Sequence, residues 1–457
     1  MTPRHRRGLA LAASTTGAVL VAVDGTVLTV AQPTLQRDLH ASLAAVQWTS
    51  TGYLVTVAAL LVFAGRLGDR YGHRRLFLVG VVCFAATSTA IALAPGIGWV
   101  IALRVAQGVA GALLQPATIA MLRAVWPADQ LPRAIAVRTA ALGLAAAAGP
   151  LIGGALTTHF GWRAVFLLGL LPAAAALVAA LAVPEARTEP ATGGLDLPGA
   201  GLLAIALVCL VHTLVALPTD GWSASTALGL AAAGLAALAL ARHERRTASP
   251  LLPPALLRSP AVGPALGVLL AASAAVLGTV FPATYYLQEV LGLDPLHNAL
   301  RGLPLAVAMI VGAPASAWLA RRHGVRATVL AGLALIAAGT LLTARLGPDS
   351  GSAATGCCFL LLGGGLGAVM ATATSAVVRG ASGAESGVAG GLQQTVMNIG
   401  PALGVALATT VAGRTAPGAA LAPAALATTA VAAAGALLAL RLPRPTARPA
   451  PLPVRRP

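Results

Sequence analysis

The spacing of charges constrains this chain most. Apolar stretches of roughly twenty residues or more follow one another along it, each bounded by arginines or acids. A helix needs about 20 mostly apolar residues to cross the hydrocarbon core, so each stretch predicts one membrane span. The first, from Arg7 to Arg37, is broken only by Asp24. The rest are Asp38–Arg66, Arg75–Arg104, Arg104–Arg123, Arg138–Arg163, Arg163–Glu185, Asp196–Asp220, Asp220–Arg242, Arg258–Glu289, Arg301–Arg321, Arg326–Arg345, Asp349–Arg379, Glu385–Arg414 and Arg414–Arg441. The expected fold class is an all-α polytopic membrane protein with 14 spans. Only 9% of residues are charged, which excludes an ordinary soluble domain, and 57% are hydrophobic, which excludes disorder.

Arginine placement sets the expected orientation, because positive loops stay in the cytoplasm. With both termini inside, 24 arginines fall in cytoplasmic segments and five (Arg37, Arg163, Arg301, Arg345 and Arg414) in outer loops, while Arg104 lies within a span. One miscounted helix would invert every later loop, so the asymmetry supports the count. The first span is read as a retained helix rather than a cleaved signal peptide, because further spans follow at once. The net charge of +17 is thereby explained by topology. Nucleic acid is not expected as a partner, since no basic stripe interleaves with aromatics. Every basic residue is arginine and none lysine, a bias resembling GC-rich bacterial coding, so the expected location is the inner (plasma) membrane. The four cysteines, Cys83, Cys209, Cys357 and Cys358, sit in apolar runs without a CxxC and are read as buried packing residues, with no metal or disulfide.

An internal repeat organises the spans. GRLGDRYGHR (Gly65–Arg74) matches AWLARRHGVR (Ala317–Arg326) at a shift of 252, and GPLIG (Gly149–Gly153) matches GPALG (Gly400–Gly404) at a shift of 251. A common offset of eight spans predicts two six-helix bundles with two inserted helices between them, a recurrent transporter plan. The expected divisions are an N-terminal bundle over 1–183 and a linker with the inserted pair over 184–260. A C-terminal bundle over 261–440 and an Arg/Pro-rich cytoplasmic tail over 441–457 complete the chain. Pro184–Pro198 and Arg242–Pro260 read as linkers.

Ionisable groups inside a membrane are costly and are functional candidates by default. Asp24 is the one deep acid and Arg104 the one deep base, expected about 12 and 9 Å below the outer ends of their spans. Asp24 either exchanges a proton under the influence of burial and Arg104, or forms a static ion pair with it. Gly65, Asp69, Arg70, Gly72 and Arg74 form a loop that either gates the cytoplasmic side or only fixes orientation, with Asp69 available to cap span 3. In span 5, Gly143, Gly149, Pro150, Gly153 and Gly154 predict a bent, closely packed helix. Gln107, Gln115, Tyr285, Gln393 and Asn398 are candidate cavity residues. Tyr286, Gln288 and Gln394 share that polar character, and His212 reads as structural or lipid-facing. GGGLGA (Gly363–Ala368) lies in an apolar span with no preceding strand and is not a dinucleotide site. With no HExxH, P-loop or nucleophile elbow, neither enzyme activity nor a cofactor is expected.

LVAVDGTVLTVAQPTLQRDL (Leu20–Leu39), QWTSTGYLV (Gln47–Val55), GRLGDRYGHRR, RVAQGVAGA (Arg104–Ala112), GPLIGG, GWRAVF (Gly161–Phe166), LDLPGAGLL (Leu195–Leu203) and ESGVAGGLQQT (Glu385–Thr395) together resemble the major facilitator superfamily, and within it the fourteen-helix drug:proton antiporter branch. The resemblance implies proton-coupled efflux of small amphipathic drugs or antibiotics by alternating access, in a functional monomer. By it, Asp24 matches the span-1 acid of proton coupling, Arg104 and Gly108 the span-4 motif, the span-5 glycines with Pro150 the antiporter motif, and Gly65–Arg74 the gating loop. Thr29 and Gln32 stand where the family often has Asn and Leu, which bears on substrate choice. No further membrane acids are evident, so neutral or monovalent substrates are expected. The alternatives are uptake or uniport of a metabolite, for which Asp24 is dispensable, and a non-transporting membrane enzyme or receptor, for which the spans offer too few catalytic groups.

Overall fold

The computed structural model describes residues 3–127, 130–183, 196–247, 250, 254–347, 350–380, 386–412 and 417–443. The described residues contain 14 helices long and apolar enough to cross a membrane, and no strand. They are α1 (Pro3–Asp38), α2 (Leu43–Tyr71), α3 (His73–Ala92), α4 (Ile97–Val125), α5 (Leu131–Phe160), α6 (Trp162–Leu181) and α7 (Leu197–Asp220). Then follow α8 (Ala224–Glu244), α9 (Val262–Val290), α10 (Pro295–His323), α11 (Val325–Thr343), α12 (Ser352–Gly380), α13 (Ser386–Ala412) and α14 (Pro417–Ala439). The end where α1 begins is called proximal, and the opposite end distal.

Short backbone devices explain the tight connections. Ser42 caps α2 by accepting from the Ala45 N–H, and Asp294 caps α10 by accepting from the His297 N–H. These caps lie 252 residues apart, the offset of the sequence repeat. α2 and α10 also end alike, at Gly72 (φ 96°) and Gly324 (φ 87°), where one left-handed residue reverses the chain into the next helix. The Asp294 carboxyl is held below its ordinary pKa, first by the His297 backbone N–H. Its contribution is therefore present above the unfolded carboxylate pKa and lost as pH falls through the lowered value. Asp294→Ala is expected to cost about 1 kcal/mol at neutral pH. Unfolding of the purified protein followed against pH checks this, and the gap from wild type should close in acid.

Packing repeats with the same displacement. In the first half α1 packs on α4, α5 and α6, α2 and α3 on α4, α3 on α6, and α5 on α6. Adding eight to each number gives pairs that also pack in the second half, from α9 with α12, α13 and α14 through to α13 with α14. The halves meet through α2 with α13 and α5 with α10. Inserted α7 lies along the α2–α13 seam, where Leu203, Leu207, Val211 and Val215 bury against Val55, Ala58, Ala402 and Ala406, and α8 packs on α7. The fold is thus two six-helix bundles plus an inserted pair.

Several local expectations change. Arg301 is not in a loop but in the second turn of α10, because that helix starts at its Asp294 cap. The Gly65–Arg74 segment is almost wholly helical, with only Gly72 between α2 and α3. Asp69 does not cap α3 but pairs with His73 one turn on at 2.9 Å. Pro150 lies inside a helix assigned without interruption from Leu131 to Phe160. Cys83 and Cys357 are exposed rather than buried, on helix surfaces shared with Val79, Val82 and Leu360, where lipid rather than protein is the apolar neighbour. Only Cys358 is buried. α8 continues to Glu244 and Pro254–Arg258 forms a single helical turn, so the second linker is partly helical. Residues 184–195 of the first linker and 444–457 of the tail lie outside the described residues.

Candidate functional site

Asp24 and Arg104 meet in the interior of the first half. The side chains are 8% and 1% exposed, and Arg104 NH1 donates to Asp24 Oδ2 at 2.6 Å. The same nitrogen reaches Gln107 Oε1 at 2.6 Å, while Nε donates to the Thr49 carbonyl at 2.8 Å. Gln107, one helical turn beyond Arg104, donates to Ser88 Oγ at 2.7 Å and to Asp24 Oδ1 at 3.3 Å. The guanidinium lies 4.4 Å from the Tyr53 ring centroid and 5.9 Å from that of Phe166. One ion pair therefore draws on α1, α2, α3, α4 and α6. α1 extends to Asp38, so Asp24 lies about 21 Å along the helix from its distal end rather than 12 Å. The pair still forms because the helices end at different heights.

The energetics follow from charge count. With Asp24 ionised the site is neutral; with Asp24 protonated, a buried guanidinium remains uncompensated. Removing one partner of a buried pair costs about 3–5 kcal/mol, whereas replacing both by apolar residues of similar volume is often neutral. Arg104→Met is accordingly expected to destabilise by about that amount, and adding Asp24→Leu to restore most of it. A double-mutant cycle of unfolding free energies measures this.

Asp24 is also next to open space. Gly25 is exposed, and a Cβ there would meet nothing within 4 Å. Two residues beyond Asp24 the helix is clamped. A Cβ on Gly149 would strike Thr26, and one on Gly153 would lie 2.6 Å from Val27 Cγ1 and 3.0 Å from its carbonyl oxygen. Gly154 points elsewhere, its Cβ position 2.7 Å from the Pro295 carbonyl and 2.9 Å from Leu296 Cα of the other half. The small residues of α5 thus admit α1 on one side and α10 on the other.

The halves are joined at the distal end and parted between α5 and α10 toward the proximal end. Distally, Gln288 donates to the Val30 carbonyl at 3.0 Å, the Leu296 N–H to Thr158 Oγ1 at 3.3 Å, and Thr409 to Gln47 at 3.1 Å. Arg37 and Glu289 lie 3.8 Å apart. Toward the proximal end, a Cβ on Gly143 would meet nothing within 4 Å, and Ile310, Pro314 and Ala317 of α10 are exposed.

The other candidates are scattered. Arg74 donates from Nε and NH2 to the Ala180 and Leu181 carbonyls at 2.8 Å each, clasping the end of α6. Gly65 and Arg70 lie in the last turns of α2. Gln115 on α4 has a buried Oε1 without a partner among the described residues, as does the Tyr285 hydroxyl on α9. Gln393 donates to Thr374 at 3.2 Å and Asn398 to the Gln394 carbonyl at 2.9 Å. Gln107 belongs to the ion-pair network. His212 is exposed, its ring 5.8 Å from that of Trp48. Among the described residues no group of three or more His, Cys, Asp or Glu could hold a metal ion.

Two matching helical halves, joined distally and parted between α5 and α10 proximally, with a buried acid–base pair inside the first half, fit a membrane transporter rather than an enzyme. Residues 14–405 match the Major Facilitator Superfamily, and the chain belongs to it. It is 43% identical over 408 residues to the tetracenomycin C resistance and export protein of Streptomyces glaucescens, covering 88% of this chain and 76% of that protein. It is 35% identical to the cephamycin export protein CmcT of Amycolatopsis lactamdurans (88% of this chain, 85% of that protein). Against the multidrug efflux pump LfrA of Mycolicibacterium smegmatis the identity is 32%, over 89% of this chain and 81% of that protein. Among solved structures, a peptide transporter POT superposes with a TM-score of 0.69 at 17% identity (95% of this chain, 93% of that chain). A bacterial homolog of the human lysosomal transporter Spinster gives 0.65 at 18% (95% and 96%). These likenesses carry the fold alone.

Proposed function

We propose that this protein exports small amphipathic antibiotic- or drug-like molecules from a bacterial cytoplasm in exchange for protons. The observation that carries the reading is Asp24, bonded to Arg104 and Gln107 and backed by the open surface at Gly25. The export proteins among its relatives support the direction and class of cargo. Arginine distribution supports a cytoplasmic proximal face with both termini inside. The bundles over 1–183 and 261–440 rock about the α2–α13 and α5–α10 contacts, and a single chain suffices, since the pair lies within one bundle.

In the inward-open form substrate enters from the cytoplasm while Asp24 releases its proton and pairs with Arg104. In the outward-open form Asp24 takes a proton from outside and substrate leaves. Each inward proton contributes about 2.3 kcal/mol per 100 mV, plus any pH-gradient term. The gating role of Asp69, Arg70 and Arg74 and the cavity role of Gln115, Tyr285, Gln393 and Asn398 are part of this reading.

Proteoliposomes with an imposed pH gradient test it. Export of an amphipathic fluorescent dye accompanied by opposite proton flux is expected. Dye movement that ignores the proton gradient would leave facilitated uptake or uniport. A tag in the α7–α8 turn at Gly221 should be reachable from outside, and labelling only after permeabilisation would overturn the topology.

A further inference from the structure

A second arginine lies inside the first bundle with no acid paired to it among the described residues. Arg138 NH2 donates to Thr118 Oγ1 at 2.8 Å, and Ser14 Oγ donates to the Thr118 carbonyl at 2.7 Å, so side chains from α5 and α1 converge on one residue of α4. The register between α1 and α5 agrees. Both helices start at the proximal face, and Gly149 packs on Thr26, so eleven residues back along each puts Arg138 level with Thr15.

Three buried polar atoms here lack partners among the described residues: Arg138 Nε, Thr15 Oγ1 and, one turn from Thr118, Gln115 Oε1. Arg138 as a whole is only partly buried, so a ligand can approach the guanidinium. The charge balance points the same way. Asp24, the acid deep in this bundle, is taken up by Arg104. Among the described residues a cationic substrate finds no free carboxylate in that interior, whereas an anion finds a guanidinium without a counterion, and buried charge that lacks a counterion is costly until one arrives.

We propose that Arg138 is a specificity-determining residue that receives the carboxylate or phenolate of an anionic substrate on the cytoplasmic loading side. Thr15 and Gln115 offer hydroxyl and amide contacts to the rest of that molecule. The guanidinium supplies a planar, permanently charged donor set suited to two oxygens at once. The inference rests on the export reading for its direction, but the binding site itself does not depend on proton coupling.

The test is equilibrium binding to the purified full-length protein, followed by fluorescence, of three probes sharing one ring system. They are anthracene-9-carboxylate, its uncharged methyl ester and the corresponding 9-aminomethyl cation. Wild type should prefer the acid to the ester by about ten-fold or more. Arg138→Gln should remove that preference while ester affinity stays within about two-fold, Arg138→Lys should keep part of it, and Arg138→Glu should shift preference to the cation. No preference for the acid in wild type would overturn the proposal, as would equal loss of acid and ester in folded Arg138→Gln protein. Because no gradient is needed, failure of proton-driven export would leave these ratios readable and would count against the export reading alone.

Discussion

Asp24→Asn should abolish uphill export and, because it leaves the buried Arg104 guanidinium uncompensated, lower stability by about 3–5 kcal/mol, while the folded fraction still lets substrate equilibrate. Asparagine has nearly the volume of aspartate, and its Oδ1 can still accept from Arg104 NH1, which now reaches Asp24 Oδ2 at 2.6 Å. What disappears is the negative charge, so the variant holds the site permanently in the charge state of protonated Asp24. For one proton per uncharged substrate, 2.3 kcal/mol per 100 mV corresponds to a substrate gradient of about fifty-fold. The variant should sustain a gradient near one. Substrate accumulation in energised vesicles, compared with counterflow between two substrate pools, measures both halves of the statement. Retained accumulation under a proton gradient alone would refute the role assigned to Asp24.

The second large effect concerns Gly154. Its Cβ position faces Pro295 O and Leu296 Cα, backbone atoms that cannot step aside as a flexible side chain can. Gly154→Leu should force the distal ends of α5 and α10 apart. Overpacking costs about 1–3 kcal/mol, enough to shift a two-state equilibrium by roughly five- to 150-fold. Spin labels at the exposed Phe160 and Leu300 should report a longer distal separation, and export should fall because the distally closed form is depleted. Gly153→Leu is the control. Its clash is with Val27 of the same half, so it should lower unfolding stability without lengthening that distance. An unchanged separation in the Gly154 variant would mean that this contact does not set the equilibrium.

The legibility of this molecule in its sequence follows the cost of charge in lipid. Asp24 and Arg104 stand out because a lone acid and a lone base interrupt apolar runs, and the structure brings them together. The groups that hold them are silent in sequence. Thr49, Ser88 and Tyr53 are uncharged residues of ordinary membrane helices, and only the helix faces they occupy bring them to Arg104. The helical turn between Thr49 and Tyr53 was the one available signal.

Charge is a poor marker of where these helices end. Arg301 bounded a run in the sequence but lies within α10, its buried NH1 without a partner among the described residues. Arg138 likewise bounds an apolar run in the sequence, yet it bonds inward to Thr118. Glycine misled in the other direction. Gly65, Gly68 and Gly72 together suggested a loop, yet only Gly72 has positive φ, and Gly68 serves to admit the His73 ring. A glycine's need for space and its need for a left-handed backbone look identical in sequence.

In the proposed antiport, proton and substrate compete through Asp24. This competition is tested most directly by counting protons released when a transported substrate binds to the purified protein in weakly buffered solution, at a pH where Asp24 is partly protonated. Net proton release is expected in wild type, approaching one per substrate where the unloaded site is fully protonated, and none at that site in Asp24→Asn. Equal release from both proteins, or substrate binding in wild type that moves no protons across the whole pH range, would contradict it.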